Sequence, residues 1–397
     1  MINSHFPYKK PKVMYEIAME DYSGTWKSRY PKNYIKGQGA NNGAFSSSED
    51  FYEYFSSCFI ANEHNDSVKF LKLSHQLCQT YYYLALNQGS EYTFYIDGAN
   101  FNAVGKKTFK STSVKPWSQA LALAMMARDK AAIDNLCQYK VENFFHPQVE
   151  FLPFHTAFCN FFKGVFDAEA DLKVLLAEVM RLSEPDLIPA RRQSYIYHVC
   201  MPFINVLLAI LYGHEGEYHK RLTKALADSR KHFGDKQREQ LAEGWVPPFL
   251  CAAAVLAYDK HGFKMPEPNA YIPEWLAYGD FDYSDFNPVV NIVPPAEAYV
   301  DKPIYIEKDV SFELKSDTNR KRTALAKAAK QFLKDNELPS EEFAIDFLGE
   351  DGYLAAYSLR PITIKHFDDW LPDIKQKWQQ KMSEVMGDNP DTQVVIK

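Results

Sequence analysis

From Trp117 to Gly262 the chain repeats apolar residues at three- and four-residue intervals, a spacing that packed amphipathic helices satisfy and strands do not. The stretch 118–137 is rich in Ala, Leu and Met. Residues 151–166 follow, then 168–182, with Leu172, Leu175, Leu176 and Val179 on one face. Across 191–212 a wide face carries Ile196, Val199, Cys200, Phe203, Leu207, Ile210 and Leu211. Residues 217–233 set Leu222, Leu226 and Phe233 against outward Lys and Arg. Pro247-Pro248 opens a last helix, FLCAAAVLAYDKHG, with Gly262 as its C-cap. Short connections between such helices imply spatial neighbours, hence a helical bundle or an αα-array. No fixed repeat of the tetratricopeptide or ankyrin kind is present.

Upstream, residues 1–45 lack periodicity and GQGANNG (37–43) signals a loop, so an irregular N-terminal segment is expected. Helical spacing starts near Ser48, with Phe51, Tyr54, Phe55 and Phe59, and resumes over 66–86 with Phe70, Leu73, Leu77, Tyr81 and Leu84. Between these and the main helical run, EYTFYIDGANFNAVG (91–105) alternates around Asp97-Gly98, the pattern of a small β-hairpin. Beyond Tyr271 the texture changes. Residues 287–310 are Pro-rich and β-prone, as linkers and edge strands are. The spacing then predicts a basic helix over 319–336, paired strands at 343–347 and 353–357 around the acidic turn 349–352, and an amphipathic helix over 364–386. The expected architecture is mostly α: irregular 1–45, a helical domain 46–286 with its β-hairpin, a linker 287–310, and a small α+β unit 311–397.

With 46% apolar and 15% aromatic residues in 397, the chain has ample material for real cores. A net charge of −6 runs against direct nucleic-acid binding, which favours a basic surface, and suits encounter with a basic protein. Cys58, Cys78, Cys137, Cys159, Cys200 and Cys251 are widely spaced without a CxxC pair, which predicts reduced thiols within the core. MINSHFPYKKPKVMYE has no apolar run of the signal-peptide kind. The longest apolar stretch, 196–212, is interrupted by His198, Pro202 and Asn205 and falls short of the roughly 20 residues of a membrane span. A cytoplasmic protein without membrane contact is expected.

Catalytic signatures are missing: the sequence holds no GxSxG elbow and no Walker loop. In HEGEYH (214–219) the histidines stand five apart, whereas a helical zinc pair needs four. Adjacent acids such as Glu49-Asp50, Glu341-Glu342 and Asp368-Asp369 point apart and suit solvated faces or caps. His155 and Cys159 share a helix face, but an apolar setting favours packing over a nucleophile. No enzyme, cofactor or metal is expected.

One segment concentrates recognition chemistry. EWLAYGDFDYSDF (274–286) carries Glu274, Asp280, Asp282 and Asp285 among five aromatic residues and no base. It suits first a loop covering the end of the bundle, and it also suits a partner surface on which Tyr283 anchors while Asp280, Asp282 and Asp285 steer a basic protein.

Three stretches resemble the immunity protein 49 family of bacterial polymorphic toxin systems: PWSQALALAMMARDKAAIDNLCQYKV (116–141), MPFINVLLAILYGHEGEYHKRLTKALADSRKHFG (201–234) and CAAAVLAYDKHGFKMPEPNAYIPEWL (251–276). The resemblance spans about 50–280 and leaves 290–397 without a counterpart. It implies an all-α immunity protein that meets a cognate toxin in the cytoplasm and neutralises it by direct binding. The family's recurrent residues fall on Trp117, Arg128, Asp129, Asp259, Tyr271 and Pro273, with scaffold roles expected for all six: Trp117 stapling a helix start, Arg128 and Asp129 forming a helix-end ion pair, Asp259 with Tyr271 tying the last helix to its loop. Two other classes stay open, a helical adaptor or scaffold with no toxin, and an enzyme reversing toxin damage, which would need a polar cleft that no motif indicates.

Overall fold

The computed structural model describes residues 11–26, 40–105, 114–139, 152–295, 331, 334–335, 343–348 and 356–361. The chain divides into two compact units, Met1–His146 with Phe151–Asp301, and Pro147–Glu150 with Lys302–Lys397. In the first unit the described helices are α1 Pro11–Asp21, α2 Ala40–Ile60, α3 His64–Leu86, α4 Val114–Met126, α5 Lys130–Cys137, α6 Pro153–Gly164 and α7 Leu172–Leu182. They continue as α8 Ala190–Leu211, α9 Glu215–Phe233, α10 Ala242–Trp245, α11 Pro248–His261 and α12 Glu274–Tyr278. Strands β1 Glu91–Ile96, β2 Ala99–Val104 and β3 Val289–Val293 complete it. The protein is mostly α with a small antiparallel sheet.

Helix α3 is the axis of the core. It packs on α2, β1, α4 and α5, and is buried on nearly every side from Ser67 to Ala85. Its polar residues are accommodated by hydrogen bonds, as dehydrated polar groups require. Ser74 Oγ donates to the Ser48 carbonyl (2.9 Å) and Ser48 Oγ to that of Ser74 (2.8 Å), lacing α3 to α2. Gln79 Nε2 donates to the Ala120 carbonyl of α4 (3.1 Å). A second focus is aromatic: Phe158 and Phe162 of α6, Phe203 of α8 and Phe249 of α11 meet with centroids 5.0–6.3 Å apart.

By length and composition α8 could cross a bilayer, yet its Phe203, Ile204, Val206, Leu207 and Ile210 lie inside the protein core. Its turn at Ile196–Cys200 is widened to the π type, immediately before Pro202. A proline collides with the carbonyl four residues earlier, here that of His198, and the wider turn relieves this. Gly262 closes α11 at φ 70°, the left-handed cap expected of it.

The hairpin turns through Asp97 (φ 48°) and Gly98 (φ 82°), the paired left-handed geometry of a tight two-residue turn. Its Tyr92, Phe94 and Ile96 face the core. Strand β3 adds to β1, giving the order β2-β1-β3.

Several boundaries differ from expectation. Within the segment expected to be irregular, Pro11–Asp21 is helical, and Tyr22 and Trp26 donate to the Asp97 carboxylate at the hairpin tip (2.9 and 3.3 Å). Helix α2 starts at Ala40, ahead of Ser48. The single helix expected over 118–137 breaks in two at Arg128. Part of the expected linker is β3. In the second unit β4 (Phe343–Leu348) pairs antiparallel with β5 (Ala356–Pro361), so the second strand starts three residues later than the pattern suggested. The helix expected over 319–336 lies mostly outside the described residues, and the one over 364–386 wholly outside them.

Candidate partner-binding site

The acidic aromatic segment is mounted on two consecutive residues, Arg128 and Asp129. Helix α4 ends at Met126, and Arg128 takes a left-handed φ of 54° before Asp129 caps α5. A non-glycine residue there is strained by about 1–2 kcal/mol. The kink throws the two side chains in different directions, so they do not form the ion pair with each other that the sequence suggested.

Arg128 reaches the far side of the segment's first turn. Its Nη1 donates to the Leu276 carbonyl (3.0 Å) and its Nη2 to that of Ala277 (3.0 Å), capping the last turn of α12. Its Nε lies 3.0 Å from Asp259 Oδ2, and the Arg128 side chain is nearly buried. Gly279, at φ 76°, lies under the guanidinium, where an added Cβ would come within 3.3 Å of it. The ring of Tyr283 lies 5.4 Å from the guanidinium carbon.

Asp129 holds the other end. Its Oδ1 accepts from the Ala132 amide (3.0 Å) and from Asn287 Nδ2 (3.0 Å), and its Oδ2 accepts from His75 Nε2 of α3 (2.9 Å). Burial pushes the Asp129 carboxyl up, but these bonds from His75, Asn287 and Ala132 outweigh it and hold the carboxyl below the ordinary aspartate value. Asn287 also donates to Tyr83 Oη (3.2 Å). Between the mounts, Gln76 Nε2 donates to the Asp285 carbonyl (3.0 Å), and Phe286 is buried.

The segment thus presents Asp280, Asp282, Tyr283 and Asp285 at the surface of the bundle. The three acids are not equivalent. Asp285 is paired with Lys72. Asp282 accepts from the amide (2.9 Å) and hydroxyl (2.7 Å) of Ser284, which lower its carboxyl below the usual range. Among the described residues the Asp280 carboxylate has no hydrogen-bond or ion-pair partner. It is the acid most available to a partner.

Of the remaining expected scaffold residues, Trp117, Tyr271 and Pro273 are buried and Asp259 is exposed. Trp117 sits in the first turn of α4, wholly buried, with Nε1 donating to the Leu136 carbonyl (3.2 Å). Pro273 is the N-cap position of α12, and Tyr271 is buried, its amide bonded to Asn269 Oδ1 (3.0 Å). Asp259 ties α11 to Arg128, which replaces the expected Asp259–Tyr271 tie. Lys72, His75, Gln76 and Asn287 belong to the same assembly, and no sequence motif marks them.

The residues weighed and set aside for chemistry lie elsewhere. Cys159 is buried and its thiol is pushed far up by that burial, the reverse of an activated nucleophile. His219 Nε2 lies 2.9 Å from the Lys264 carbonyl, and among the described residues no group of three or more His, Cys, Asp or Glu is arranged around a common point.

The sequence model of the immunity protein 49 family matches residues 63–276, more than half of the chain, and the chain belongs to that family of immunity proteins. Comparisons with curated proteins and with solved structures give no match. The family match ends at Leu276, so Arg128, Asp129 and Asp259 fall inside it, while Asp280, Asp282, Tyr283 and Asp285 lie beyond it.

Proposed function

We propose that the protein neutralises a cognate toxin by binding it directly in the cytoplasm and occluding its working surface, without chemistry of its own. The observation that carries this is the mounted loop of an immunity-family chain: Arg128 and Asp129, inside the family match, hold in place a stretch of exposed acids and an exposed tyrosine that lies beyond it. Preorganisation of this kind lowers the ordering cost of binding. Exposed acids would speed encounter with a basic toxin, and Tyr283, 39% exposed, would serve as an anchor.

Co-expression tests this. The toxin domain encoded beside this chain should arrest growth alone and lose that effect when the chain is present, and the two should co-purify as a complex. Protection without a complex would favour an enzyme that reverses damage. Neither protection nor a complex would favour an adaptor.

A further inference from the structure

Strand β3 pairs with β1 on one side, and among the described residues no strand lies along its other side, which is open to another strand. Among the described residues no other element exposes as many large apolar side chains: Val290 is 60% exposed, Ile292 45% and Val293 49%. Tyr95 and Val104 carry the exposed apolar surface onto β1 and β2. An open edge templates pairing, and a charged side chain or an inserted proline commonly guards it. Residues 287–295, NPVVNIVPP, carry no charge, and Pro288 and Pro294 flank the strand without interrupting it. Its one irregularity is a bulge that leaves Val290 without a β1 partner, which bends the strand and adds no charge.

The strand also matches itself. VVNIV reads nearly the same in both directions about Asn291. Two copies laid antiparallel with Asn291 on a two-fold axis set Val289 opposite the partner's Val293, and Val290 opposite the partner's Ile292. Each such pair is aliphatic and β-branched, a combination that cross-strand packing favours. At the centre the two Asn291 amides face each other, each with a donor and an acceptor to exchange. A two-fold contact needs a surface complementary to itself, and a strand of one charge sign would repel its own copy. We propose that β3 pairs with β3 of a second copy of this chain, giving a two-fold dimer with a continuous sheet in the order β2-β1-β3-β3-β1-β2. Antiparallel pairing sends the two mounted loops, which precede β3, toward opposite ends of the joint. Five residues make a short joint, so the dimer is weak and exchanges with monomer. This dimer does not depend on toxin capture.

Sedimentation velocity of the full chain over a concentration series tests this, with melting temperature measured alongside. The parent should shift from monomer toward dimer as concentration rises. Val290→Lys/Ile292→Lys opposes lysine to lysine across the joint and should stay monomeric, with a melting temperature near the parent's because both positions are exposed. Val290→Lys/Ile292→Glu alters the same two positions but sets each introduced lysine opposite an introduced glutamate, and it should dimerise again. Asn291→Asp, a single exposed change that brings two carboxylates together on the axis, should weaken the dimer and keeps the test decisive if the double variants misfold. A parent still monomeric at roughly 0.1 mM overturns the proposal. A dimer that the lysine pair or Asn291→Asp leaves intact lies on another face and overturns it too. So does a folded lysine–glutamate variant no more dimeric than the lysine pair.

Discussion

Arg128 and Asp259 lie 131 residues apart in the chain and meet with Nη2 3.0 Å from Oδ1, while the same guanidinium caps α12. Removing that side chain leaves two carbonyls and a carboxylate without their donor. Arg128→Ala should destabilise the protein by about 2–4 kcal/mol in chemical denaturation. Arg128→Lys should recover little, because one ammonium cannot reproduce the fork. A loss under about 0.5 kcal/mol, the size of an ordinary surface substitution, would show that the mount does not hold the loop.

Gly279 is the counterpart of that arginine. Gly279→Ala forces an L-residue to φ 76° with its Cβ 3.3 Å from the guanidinium. The expected loss is about 1–2 kcal/mol, with a smaller loss in an Arg128→Ala background, a coupling that a double-mutant cycle reads directly.

Acid should weaken the fold in two windows. Burial, with the charge of Arg192 on His155 and of Arg238 on His232, lowers these two histidines from 6.5 to about 4. Between those values the unfolded chain takes up protons that the folded chain refuses, so stability falls as pH drops from about 6.5 toward 4. Asp129 acts further down. Its folded value is depressed, so its contribution is present above about pH 4 and is lost as pH falls toward that depressed value. His232→Gln should flatten the first window, and Asp129→Asn the second, in denaturation curves taken across pH.

Strand β3 defines the edge of the helical domain. A chain ending at 286 lacks Asn287, which bonds Asp129 and Tyr83, and the strand that covers β1. A chain ending at 295 keeps both. The longer one should melt several degrees higher, as expected for a loss of about 1–2 kcal/mol. Equal melting temperatures would place the boundary at 286.

Most helices were legible because their apolar spacing is strong, and the hairpin because Asp97-Gly98 can adopt two consecutive left-handed conformations. The break between α4 and α5 was not: 118–137 keeps helical spacing throughout, and only the backbone of Arg128 interrupts it. Helix α3 showed one apolar face, although His75, Gln76 and Gln79 are buried as well through partners distant in sequence. The acidic segment could be found by composition, but its mounting could not, since Arg128 and Asp129 look like a local pair until the kink separates them.

The most direct test of the account is the association rate of the full chain with the toxin domain encoded beside it, measured over a range of salt. Replacing Asp280, Asp282 and Asp285 by asparagine should slow association several-fold at low salt, with the difference shrinking as salt screens exposed charge. Asp280→Asn alone should account for much of it, since Asp285 is offset by Lys72 and Asp282 is held by Ser284. Tyr283→Ala should leave association nearly unchanged and speed dissociation, a loss of about 1–3 kcal/mol. Parental association at every salt together with parental dissociation in Tyr283→Ala would contradict the account, leaving the loop as a cover for the end of the bundle.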